Sequence, residues 1–107
     1  MEVQFKQWKS RLVFAKYANN RTALVLTNAE SVEEYGYTAA PGTQLIAVAT
    51  VNIPEEKLVK NEVIIKDYSE NEGMIQVLMD AKVISEPLRY AKTGYVTCAV
   101  CKLLVTK

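Results

Sequence analysis

The sequence predicts an α+β fold: an about five-stranded, mostly antiparallel sheet with one amphipathic helix packed on one face, in the order β-β-β-β-α-β. Three observations predict it. Most of the chain divides into short runs rich in β-branched and aromatic residues, punctuated by Asn, Gly and Pro. One stretch, within residues 63–84, repeats its apolar residues with helical spacing. Two runs, residues 43–52 and 95–105, are apolar on both parities, as in strands covered on both faces. A chain of 107 residues suffices for one core, so residues 1–107 are read as a single domain.

In chain order, residues 10–17 form a first strand, and Asn19-Asn20-Arg21 turns it back into a second at residues 22–26. Residues 28–42 read as a long loop carrying Glu30, Glu33, Glu34, Tyr35, Gly36, Tyr37, Pro41 and Gly42. The third strand, residues 43–52, is expected in the interior and is ended by Pro54, which has no N–H for a ladder. A charged connection leads to a short strand at residues 62–66 and the polar turn Asp67-Tyr68-Ser69. Ser69 and Glu72 have the spacing of a capping box, with Asn71 as a rival cap. Beyond them Met74, Val77, Leu78 and Ala81 line one helical face, widened by Ile75 and Met79. Pro87 ends any continuation, residues 85–94 read as a connector, and residues 95–105 form a central last strand, with a place beside the first strand as one expectation.

Several function classes are disfavoured. No apolar run approaches the ~20 residues that span a bilayer, so no membrane association is expected. The amino terminus lacks the layout of a secretory signal, which makes a cytoplasmic location the expectation. With no histidine, Ser/His/Asp and Cys/His nucleophile systems cannot form within one chain. Cys98-Ala-Val-Cys101 lies in a strand pattern rather than at a helix N-terminus and has no further Cys or His to complete a zinc site, so it reads as core. The four glycines are scattered, which excludes a phosphate-binding loop. No cofactor or metal is implied.

Net charge is +1, but it is unevenly spread. Residues 1–21 carry five basic residues against one acidic, residues 82–107 the same, and residues 22–81 three basic against ten acidic. Were the terminal strands neighbours, Lys9, Arg11, Lys16, Lys92 and Lys102 would share one basic face suited to nucleic acid; otherwise they are ordinary solvated charges. Asp67, Glu70 and Glu72 cluster at the helix start, where capping explains them and acid/base or metal chemistry is the alternative. Tyr68 is either a wedge closing the core or a recognition residue. Tyr35 and Tyr37, set among Glu33 and Glu34, are contact residues or rings folded back on the sheet. Trp8 anchors the amino terminus or meets a partner.

The run Ile65-Lys-Asp-Tyr-Ser-Glu-Asn-Glu-Gly-Met74, with Ala49-Thr-Val-Asn-Ile-Pro54 before it and Val100-Cys-Lys-Leu-Leu104 after it, resembles a small family of phages, plasmids and integrated mobile elements catalogued as domain of unknown function 4313. The resemblance spans roughly residues 10–105 and implies a compact accessory domain with no assigned activity. Between Asn28 and Gln44 the chain departs from the pattern, where the family implies a shorter turn. The leading expectation is a non-enzymatic protein that binds a host protein through Glu33, Glu34, Tyr35, Tyr37 and Tyr68 and inhibits a defence system such as a CRISPR nuclease. A nucleic-acid or nucleotide binder using the basic termini, and an enzyme using Asp67, Glu70 and Glu72, are the alternatives. Exposed sheet edges also allow a homodimer.

Overall fold

Two consecutive hairpins build the first sheet. Strand β1 (Glu2–Phe5) folds onto β2 (Trp8–Lys16) through Lys6 and Gln7, with Phe5 opposite Trp8 and Lys6 left-handed at φ 54°. β2 returns as β3 (Thr22–Asn28) through the expected Asn19-Asn20-Arg21 turn, where Asn20 adopts φ 71° and donates to the Tyr17 carbonyl at 2.9 Å. The computed structural model describes residues 1–106, the side chain of Glu34 apart.

Among the described residues nine strands lie in three sheets, so the fold is α+β and antiparallel as expected, but the strand number and order are not. β1-β2-β3-β6 form the first sheet, β4 (Val32–Glu34) and β5 (Tyr37–Ala39) a separate hairpin, and β7-β9-β8 a third sheet. β6 is Leu45–Val48, β7 Glu62–Ile65, β8 Arg89–Thr93 and β9 Val96–Lys102. The last strand is central, between β7 and β8, yet not beside the first strand. β1, β4, β5 and β8 all fall where the sequence reads as terminus, loop or connector. Each is five residues or fewer, and its register comes from a partner strand rather than from its own apolar pattern.

The segment expected to be an interior strand, residues 43–52, is instead shared between sheets. β6 pairs only with β3 and exposes Leu45 and Val48, while Ala47 and Ala49 face the core. Beyond β6 the chain crosses over: Ala49 N–H donates to Leu24 O at 2.8 Å, Lys66 N–H to Ala49 O at 2.8 Å and Val51 N–H to Ile64 O at 3.0 Å. Apolar residues on both parities therefore report a strand that changes sheets.

The main core lies between the two larger sheets and the helix, and includes Phe5, Leu24, Leu26, Ile65, Met74, Leu78, Ile84 and Cys101. A smaller cluster of Ile53, Ile64, Ala91, Cys98 and Val100 covers the other face of β7-β9-β8, with Leu58 and Tyr68 packed on it. Its lid, the loop from Ile53 to Asn61, is held by two arginines. Arg21 donates to the carbonyls of Ile53, at 2.8 Å, Pro54 and Glu56. Arg89 donates to both oxygens of Glu62 at 2.9 Å, to Glu56 at 3.4 Å and to Lys57 O at 2.7 Å.

Helix α1 (Met74–Asp80) buries Met74 and Leu78 as its periodicity predicts, but its start corrects the capping-box expectation. Ser69–Asn71 is a 3-10 turn, and Ser69 has φ 55°, whereas an N-cap needs extended backbone. The rival cap, Asn71, is buried and donates to Val48 O at 2.7 Å. The free N–H groups at the helix start are taken by Asp67, whose carboxylate accepts from Gly73 at 3.2 Å and Ile75 at 2.6 Å. The other end closes in a Schellman turn: Lys82, at φ 61°, donates to Met79 O at 2.9 Å and Val83 to Leu78 O at 2.9 Å.

Asp67→Ala should lower stability by about 1 kcal/mol in urea titrations, and Ser69→Ala by much less; the reverse order would restore the capping box. Hydrogen bonds from Arg89 and from the Val59 N–H hold Glu62 below the usual carboxylate range. A depressed folded pKa stabilises above the unfolded value of about 4.3, and that contribution is lost as pH falls through the folded pKa. Arg89→Met should therefore lower Tm at pH 7, and its deficit against wild type should shrink below about pH 4 in melts across that range.

Candidate functional site

The long loop expected at residues 28–42 is an ordered arm, because Tyr35 and Gly36 make the two-residue turn of a hairpin. Both have positive φ, 51° and 81°, and Glu34 stands opposite Tyr37, Glu33 opposite Thr38 and Val32 opposite Ala39. Such a turn matches the twist of the flanking strands and favours Asn-Gly or Gly-Gly. A tyrosine in its first position is held against its backbone preference.

The arm is fixed at its base by one side chain. Asn28, at the end of β3 and only 1% exposed, donates through Nδ2 to the carbonyls of Glu30 at 2.9 Å, Ala39 at 3.3 Å and Ala40 at 2.9 Å. Its Oδ1 accepts from Gln44 N–H at 2.8 Å, and its backbone N–H bonds Gln44 O while its carbonyl accepts from Gly42. One buried amide thus ties both ends of the arm to β3. Lys9 Nζ meets Glu30 at 3.1 Å beside this base, an exposed pair whose carboxylate raises the lysine's pKa.

At the other end the arm presents its rings. Tyr35 is 91% and Tyr37 80% exposed, so neither folds back onto the sheet. Together with Val32, Thr38, Ala39 and Gln44 they line a depression of about 320 Å³. Glu33 is exposed on the same arm; the side chain of Glu34 lies outside the described residues.

The remaining candidates are placed elsewhere and singly. Tyr68 is half-buried against the Ile53 cluster with Lys66 Nζ 5.3 Å from its ring centre, and it is not part of the arm. Glu70 is paired with Lys66 at 2.6 Å, which lowers its pKa, Asp67 caps the helix, and Glu72 is exposed. Among the described residues no group of three or more His, Cys, Asp or Glu has the arrangement of a metal site. Lys9, Arg11 and Lys16 lie on β2 in one sheet and Lys92 and Lys102 on β8 and β9 in another, so the condition for one basic face, neighbouring terminal strands, is not met. No described helix is long and apolar enough to cross a membrane.

Cys98 and Cys101 are free, buried and directed to opposite faces of β9, Cys98 into the smaller cluster and Cys101 into the main core. Burial raises both thiol pKa values, that of Cys101 to about 11. Comparison with protein-family models, curated proteins and solved structures finds no match to this chain.

The sequence reading missed Asn28 and Gln44. A Tyr-Gly pair with Val32 and Ala39 at matching distances on either side is the signal that would have revealed the hairpin, and with it the need for a clamp at its base. Neither cysteine should react with iodoacetamide at pH 8 in the folded protein, and both should react in guanidinium; mass spectrometry of the labelled chain checks this.

Proposed function

We propose that the chain is a small non-enzymatic accessory protein of a phage or mobile element that binds a host protein through the β4–β5 arm. The observation that carries this reading is the exposure of Tyr35 and Tyr37, 91% and 80%, on a hairpin whose base is fixed. Rigid aromatic rings give a large contact area at small entropic cost, which is why they anchor protein interfaces. A fixed base means that little further order is lost on binding. The resemblance to a mobile-element family supports an accessory role, and inhibition of a host defence system such as a CRISPR nuclease is the form of that role we favour.

The test is affinity capture of the tagged protein from host lysate at low and high salt, beside the double variant E33Q/Y37S, whose changes are exposed and leave Asn28 untouched. A single host protein retained at high salt by wild type and lost by the variant, with identical circular dichroism, is expected. Retention by the variant would remove the arm from the interface. Capture of nucleic acid, released as salt rises, would replace protein binding with nucleic-acid binding.

A further inference from the structure

We infer that the ring-lined face of the arm receives an arginine side chain presented by the partner protein. This deepens the proposed function and rests on it for the identity of the partner. The depression is lined by the two exposed tyrosines together with Val32, Thr38 and Ala39. Ring faces attract cations, and a planar, weakly hydrated guanidinium stacks on them better than an ammonium does.

A second feature points to a donor-rich ligand. Gln44 lines the same depression, and its Oε1 is buried with no hydrogen-bond partner. Guanidinium carries five N–H donors and no acceptor, so it can satisfy that oxygen once the Gln44 side chain turns its amide toward the depression. An apolar side chain in the same place would leave the oxygen orphaned.

Charge favours the same occupant. No Lys or Arg occurs between Arg21 and Lys57, while Glu30, Glu33 and Glu34 lie on or beside the arm. Lys9 neutralises Glu30, and Glu33 makes no ion pair among the described residues. Tyr35 keeps its left-handed backbone in a turn that would form more readily with Asn, so a ring stands at the tip despite the local preference.

The probe is an arginine-containing Gly-Ser peptide, titrated by NMR beside its lysine counterpart of equal length and charge. Saturable shifts of the Tyr35 and Tyr37 rings and the Gln44 side-chain amide are expected, with arginine at least about threefold tighter than lysine. Tyr35→Asn should melt higher than wild type, because Asn-Gly suits the turn, and should lose the response. Equal affinity for lysine, shifts confined to other residues, a titration without saturation, or a full response from Tyr35→Asn would each overturn the inference. The proposed function fails separately: a host protein captured on the arm but not displaced by the arginine peptide leaves that function standing and removes the arginine site. Absence of any captured protein removes the function, while the titration still decides the site.

Discussion

The structure depends on the crossing at residues 47–51. Here one strand of chain ends its pairing with β3 and begins pairing with β7, so the two larger sheets share a backbone seam rather than only side-chain contacts. The hydrogen bonds from Ala49 to Leu24 and from Lys66 to Ala49, both 2.8 Å, place the sheets on either side of a single residue. Thr50 completes the seam: its hydroxyl accepts from Leu24 N–H at 3.2 Å and lies 2.9 Å from the Tyr17 hydroxyl, leaving no polar atom of that buried side chain unpaired. Ala47 and Ala49 are small enough for Leu24, Leu26 and Ile65 to close over them, which puts the main core in the angle between the sheets.

The helix is a consequence of that core. Seven residues are far fewer than an isolated helix needs in water, so α1 is stabilised by burying Met74 and Leu78 and by its two ends. The run from Ile65 to Gly73 supplies the parts of this joint. Ile65 is core, Lys66 pairs with Glu70, Asp67 caps, Tyr68 packs on the smaller cluster, Asn71 donates to Val48 O, and Gly73 takes φ 95°. The run is thus a strand-to-helix joint whose side chains are used in capping, pairing and packing.

The arm is the reverse case. Its contribution to the core is small, and its base is held by backbone bonds to β2 and β3 and by Asn28, one buried amide that meets three carbonyls and an N–H. Buried polar groups this fully paired hold one geometry, because any displacement leaves several of them unsatisfied. The tip is then free to carry what the backbone disfavours, an exposed tyrosine in the left-handed region. The fixed base and the exposed rings lie at opposite ends of the same hairpin.

The sequence by itself determined the α+β class, the hairpin of β2 and β3, the buried faces of β7, β9 and α1, and the cysteines as core, because each is written in local periodicity or in a turn. It did not determine that residues 43–52 leave one sheet for another, since apolar residues on both parities look the same in a doubly covered strand. Nor did it determine that Asp67 rather than Ser69 caps the helix, which follows from the left-handed backbone at Ser69. The arm was legible as unusual composition, but whether Tyr35 and Tyr37 meet a partner or fold back on the sheet was left open by the sequence, and the structure exposes both rings. Its order was decided only by tertiary structure, because the amide of Asn28 acquires its partners when residues up to sixteen positions away are brought to it.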